Sequence, residues 1–125
     1  MSNFFFIGIM NLVIALKYQL KLANQTIEIE VCRTFWKRLL GFMFQRKKIT
    51  MGKCFPHCNS IHTFFMFQKI DIILCDSNMK VIAMKRNFPT NRILWPIKNA
   101  WYVLELPLES IQNIQIGDQL NLKDF

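Results

Sequence analysis

The chain has 125 residues, 52% hydrophobic and 14% aromatic, with a formal net charge of +8. A chain of this length buries roughly two-thirds of the surface its unfolded form exposes, so it needs neither a disulfide nor a metal to fold, and its composition excludes a disordered polymer. Lys37, Arg38, Arg46, Lys47, Lys48 and Lys53 gather in one region, but no basic run exceeds three residues and no finger or RNP-type pattern accompanies them; a solvated basic face is expected, and nucleic acid is not.

In chain order, the first feature is "FFFIGIMNLVIAL", residues 4–16, an uncharged run of thirteen. It is too short to span a bilayer unaided and has the length of a signal-peptide core. No Lys or Arg precedes it, whereas Lys17 and Lys21 follow it, the reverse of a secretory signal. Three readings stay open: an extra packed element or tail, a membrane anchor with the remainder facing the cytoplasm, and a cleaved segment. The division expected is an apolar segment over 1–17 and a single β-rich domain over 18–125, cytoplasmic, with membrane association through residues 4–16 left open.

Polar and apolar residues alternate on both sides of Asn24 and Gln25, which predicts a hairpin from Tyr18 to Cys32. The period then changes. Thr34 can cap a short helix near residues 34–43, with Phe35, Leu39, Phe42 and Met43 on one face, and Gly41 marks either its exit or a close backbone approach. After the basic loop 45–53 comes "CFPHCNSIHTFFM", residues 54–66, which holds two of the four cysteines and both histidines. "IHTFFM", "IDIILC" and "KVIAMK" read as strands, the last two joined by an Asp76-Ser77-Asn78 turn. Residues 86–99 carry two prolines and read as an irregular loop. "AWYVLEL" is a strand, a turn or short helix follows around 110–113, and "IGDQLNL" reads as a turn leading into a final strand. The fold class is mainly β, a β-rich α+β domain. About seven short strands and one helix form a compact barrel-like sheet, since curling is how such a sheet avoids exposed edges.

Cys32 and Cys75 sit in the apolar runs "IEIEVC" and "IDIILC", where a free thiol behaves as a small buried hydrophobe. Nothing in the spacing has the density of a disulfide scaffold.

"FWKRLLGFMF", "CNSIHTFFM", "IDIILCDSNMKVI", "AWYVLELP" and "IGDQL" occur in an order and spacing that resembles the domain of unknown function 192 family, small uncharacterised bacterial and archaeal proteins. The resemblance covers residues 18 to 122. Members commonly carry Arg after the Met of the His-Thr strand and Pro before the Ile-Asp pair, whereas this chain has Phe67 and Lys69; Leu108 and Glu109 stand where a Gly usually follows. The resemblance implies a fold and supplies no activity.

The chemistry must come from the residues. Cys54, His57, Cys58 and His62 are metal-ligand types, but the spacing is not that of a finger or ribbon, and only Cys58 and His62 belong to the family landmarks. A metal site on these four is the weaker alternative. Thiol catalysis needs a base within hydrogen-bond reach of Cys58, and on an extended strand His62 would lie roughly 13 Å away. A structural role for His62 and Glu105 is the plainest reading, with Glu105 paired to Arg33 or Arg38 or facing solvent. If the polar groups converge beside Trp36, Trp95 or Trp101, they would form a pocket with an apolar floor. The expectation is a binding or accessory module rather than an enzyme, with a small pocket lined by Cys58, Ser60, His62 and Asp71 and with Glu105 and Arg33 as partners. No cofactor is expected, and the partner would be another protein or a small ligand.

Overall fold

A computed structural model describes residues 17–22 and 25–122. Its strands are β1 (Lys17–Lys21), β2 (Thr26–Val31), β3 (Gly52–Pro56), β4 (Ile61–His62), β5 (Ile70–Cys75), β6 (Val81–Phe88), β7 (Ile93–Leu94) and β8 (Tyr102–Leu106), and a helix, α1 (Phe35–Leu40), lies between β2 and β3. Six strands form an open sheet in the order β1-β2-β3-β8-β5-β6, and β4 pairs with β7 in a small second sheet. The mainly-β reading holds. The apolar run 4–16 lies outside the described residues, among which no helix is long and apolar enough to cross a membrane.

The predicted hairpin is β1 and β2, paired from Lys17 opposite Glu30 to Lys21 opposite Thr26. From β2 the chain crosses through α1 and returns as β3, parallel to β2, with Val31 opposite Cys54. The sequence reading missed β3, because Gly52 and Pro56 bracket it and both are poor central-strand residues. Gly52 is required by space rather than by its backbone angle. A Cβ there would lie 2.5 Å from Ile29 Cδ1 and 2.6 Å from Leu106 Cδ2, both in the core.

Alternation along the strands sends side chains to two separate cores, one on each face of the sheet. Ile29, Val31, Cys54, Ile73, Leu104 and Leu106 pack with Ile111, Ile114, Leu120 and Leu122 of the carboxyl-terminal segment on one face. Phe55, Ile70, Ile72, Leu74 and Val103 pack with Phe42, Ile49, Met66 and Leu94 on the other. Cys32 and Cys75 are fully buried, as expected of their apolar runs. The final strand expected in "IGDQLNL" is reduced to a single bridge between Lys80 and Gln119. Residues 86–99 are partly regular: β6 runs on to Phe88, and Ile93 and Leu94 form β7.

The helix departs from expectation in a way that matters for the site. Thr34 does cap it, its side chain accepting from Lys37 N at 3.2 Å, and Gly41 ends it at φ 47° with its N–H donated to Lys37 O. Yet α1 buries none of its residues; Phe35 and Trp36 are exposed, and Phe42, just past the helix end, is the aromatic that enters the core. Polar ties hold α1 in place instead. Lys37 Nζ lies 2.6 Å from Glu30 Oε1 on β2, and the Arg38 guanidinium donates to the backbone carbonyl of Pro56 at the end of β3. The helix therefore stands over the second core as a lid fixed at its rim, and a space remains beneath it.

Candidate functional site

That space is a cavity of about 150 Å³ lined by Arg38 to Met43, Phe55, Cys58, Ser60, Ile61, His62, Met66 and Glu105. Four of the residues singled out from sequence, Cys58, Ser60, His62 and Glu105, thus line one cavity. The floor is made by Phe42, Phe55 and Met66 rather than by a tryptophan; Trp36, Trp95 and Trp101 are all exposed and none lines it.

Asp71 and Arg33 do not join them. Asp71 and Glu105 lie on opposite faces of the sheet by strand alternation: Asp71 shares the face of Ile73, and Glu105 that of Val103. Asp71 is buried and accepts from the backbone N–H groups of Asn87 at 2.9 Å and Ser110 at 3.1 Å, which makes it a clamp between β6 and the segment after β8. Arg33 is exposed ahead of α1 and is absent from the cavity lining.

The expected strand "IHTFFM" is only two residues long. Beyond it the chain turns, with Phe65 at φ 62°. The turn is organised by Thr63, a buried residue whose hydroxyl donates to Pro89 O and accepts from Arg92 N at 2.9 Å. Met66 is thereby folded back into the cavity floor while Phe65 stays exposed, so the simple in-and-out alternation fails after His62. His62 itself is half-buried; its Nδ1 accepts from Phe64 N at 3.3 Å, and its ring stacks on Phe64.

Cys58 Sγ donates to the Ser60 carbonyl at 2.9 Å. The weaker metal set is not brought together: Cys54 is buried on β3 opposite Leu104, and His57 lies edge-on to Trp101 at 4.5 Å between ring centroids. Among the described residues, no group of three or more His, Cys, Asp or Glu side chains is placed to hold a metal ion. Burial pushes the Cys32 and Cys75 thiols up to about 12 and raises that of Cys54 as well, whereas Cys58 is half-buried. Iodoacetamide at pH 7.5 is therefore expected to label Cys58 first in the folded protein, with the other three slower by on the order of a hundredfold. Peptide mapping reads this, and even labelling of all four would contradict the burial described. Such selectivity reports how its peers are buried and does not by itself make Cys58 a nucleophile.

Glu105 is the unusual group. It is buried, it lies on a central strand, and among the described residues its Oε2 has no hydrogen-bond partner. Arg38, one of the partners anticipated for Glu105, is instead engaged with the carbonyls of Pro56 and His57. The residue directly across from Glu105 on β3 is Lys53, whose ammonium donates to Gly41 O at 2.8 Å and sits 4.9 Å over the Phe42 ring. Burial pushes the Glu105 carboxyl up to about 8, against the opposing pull of Lys53. A Cβ built on Gly41 would lie 3.5 Å from Glu105 Oε2, an ordinary van der Waals contact, so it is the positive φ at the helix end rather than lack of space that favours glycine there. Of the two meanings anticipated for Gly41, helix exit or close approach, the helix exit is the one realised. Lys53, Phe42 and Phe55 were not anticipated as part of the site. The available signal was the cross-strand pairing of Lys53 with Glu105, which becomes readable only once β3 is recognised as a strand.

The chain is similar to curated proteins designated UPF0127. One from Pyrococcus horikoshii is 34% identical over 99 residues, covering 74% of this chain and 85% of that protein. Another from Thermococcus sibiricus is 35% identical over 104 residues, covering 77% of this chain and 66% of that protein. Among solved structures, a protein of unknown function from Novosphingobium aromaticivorans matches with a TM-score of 0.69 at 18% identity, over 85% of this chain and 84% of that one. A Sinorhizobium meliloti protein described as a candidate transcription regulator matches with the same score and identity, over 82% of this chain and 88% of that one. At this identity the two structures speak to the fold alone. The DUF192 model, described as uncharacterized ACR, matches residues 18–122; with the UPF0127 relatives at over 30% identity, this places the chain in the DUF192 family.

Proposed function

We propose that this chain is a binding or accessory module that takes a small ligand in the cavity lined by Cys58, Ser60, His62 and Glu105. The observation that supports it is Glu105 Oε2. A buried polar atom without a partner costs on the order of 1–3 kcal/mol, and such atoms are rare in native interiors unless a water or ligand satisfies them. Here the residue belongs to the wall of a cavity rather than to a solid core, which puts ligand space beside it. The surroundings fit the same reading, being an apolar floor with a few polar groups at one side. The cavity compares in size with an engineered apolar one that admits benzene, which limits the ligand to a compact molecule or fragment.

Ligand-observed NMR with a library of small anionic, cationic and neutral fragments tests this. Binders are expected for the wild-type chain, and Ser60→Phe, which adds a ring to the cavity lining, should weaken them by roughly tenfold or more, about 1.4 kcal/mol, with an unchanged circular dichroism spectrum. A library without binders, or binders indifferent to both Ser60→Phe and His62→Ala, would overturn the reading.

A further inference from the structure

We infer that the ligand of this cavity is a small monocarboxylate, held through a hydrogen bond to Glu105 Oε2 and by the positive field of Arg38 and Lys53. The inference rests on the cavity reading above and adds the ligand's chemical class. Two classes of polar group can satisfy a lone carboxyl oxygen: a donor such as an ammonium, or the oxygen of a second carboxylate if Glu105 keeps its proton. The charges around the cavity decide between them. Among the described residues, Glu105 is the only acidic one in the lining, and Arg38 is its one permanently charged cation. Lys53 faces Glu105 across the strand pair, with its ammonium held 2.8 Å from the Gly41 carbonyl that borders the same space. An incoming ammonium would add a third cation beside a single carboxylate. An incoming carboxylate is attracted by both cations and finds a donor in the Glu105 O–H. Phe42, Phe55 and Met66 leave an apolar floor for a short hydrocarbon body.

Because burial holds the Glu105 proton up to about pH 8, the donor is present at neutral pH and lost above it. The ionisable groups around Glu105 are Lys53 on β3, Cys32 after β2, Arg38 on α1, Cys58 in the loop after β3, and His62 on β4. Because His62 lines the same cavity, the test must separate Glu105 from it. Glu105→Gln does so. Its amide N–H remains a donor at every pH, so a pH dependence that belongs to Glu105 disappears and one that belongs to His62 survives.

The experiment titrates the full chain, methyl-labelled at methionine, with propionate, propylammonium and propionamide at pH 6.5 and pH 9, and follows the Met66 methyl resonance. Propionate is expected to bind best at pH 6.5 and roughly tenfold more weakly at pH 9, the fall set by loss of one proton with a midpoint near 8. Glu105→Gln should still bind propionate, with the two pH values now within about twofold of each other. Glu105→Leu should lose the shift; if that variant does not fold, the Gln variant carries the test alone. Propylammonium binding that strengthens with pH and is lost in Glu105→Gln would overturn the carboxylate assignment while leaving the cavity reading intact. Propionate binding whose pH dependence persists in Glu105→Gln would overturn the role of Glu105. Failure of all three probes to move Met66, with other fragments binding in a manner sensitive to Ser60→Phe, sinks the ligand class alone; failure of every fragment sinks both.

Discussion

Glu105→Gln is expected to make the ligand-free protein more stable at pH 9, by roughly 2–4 kcal/mol, and to leave its stability at pH 4.5 within about 1 kcal/mol of wild type. The carboxyl is raised from its ordinary 4.5 to about 8, chiefly because burial disfavours the ionised form. The folded state therefore holds this proton more tightly than the unfolded state does. Below about pH 4.5 both states carry it and Glu105 contributes no pH dependence. Between 4.5 and 8 the unfolded chain has released the proton and the folded chain has not, so stability declines as pH rises, and above 8 the loss is complete. A shift of that size corresponds to an upper bound of about 5 kcal/mol, which water entering the cavity beside the ionised carboxylate reduces. Gln has nearly the same shape and no charge to bury, so it escapes the decline. Urea denaturation of both proteins across pH 4.5 to 9 isolates this group, since every other titration is common to the two. Parallel stability profiles would mean that Glu105 is hydrated or paired in solution, and would remove the main support for the cavity as a binding site.

The same residue shows where sequence reasoning succeeds and where it stops. β5 and β8 were legible as runs of branched and aromatic residues, and the β1–β2 hairpin as alternation about a polar turn, because these patterns depend only on neighbours along the chain. Motif placement alone grouped Cys58, Ser60 and His62 with Glu105, but it grouped Asp71 and Arg33 with them as well, and the fold keeps those two out of the cavity lining. What could not be read was the sheet order. Whether Glu105 meets Lys53 or Asp71 depends on β3 lying beside β8 and on the register that sets Lys53 opposite Glu105, and β3 hides behind Gly52 and Pro56. The face of α1 was misjudged for a related reason. Phe35 and Leu39 have helical spacing, but the helix is held by Lys37, Arg38 and Thr34, so an apolar stripe there does not report a buried face. Thr63 gave no periodic signal at all, yet the hydrogen bonds of its hydroxyl shape the turn that brings Met66 into the cavity floor.

Asp71→Ala is expected to destabilise the fold by about 2–4 kcal/mol while leaving fragment binding in the cavity unchanged. Both parts follow from where the strand alternation puts this side chain. Asp71 was grouped with Cys58 and His62 in sequence, but it faces the opposite core, where its two oxygens accept from Asn87 N and Ser110 N. Ala removes both acceptors at once. Ser110 is buried, so its N–H is left without water to replace the carboxylate, whereas Asn87 is exposed and recovers part of its loss from solvent. Asp71→Asn keeps one oxygen and should cost about half as much. The midpoint of urea denaturation measures the stability term, and a change under about 0.5 kcal/mol would show that the clamp contributes nothing. Fragment titration of the same variant measures the second. Weakened binding at native conditions would mean that the two faces of the sheet are coupled through β5 and β8, and that the carboxylate pair Asp71 and Glu105, separated by the sheet, acts as one unit after all.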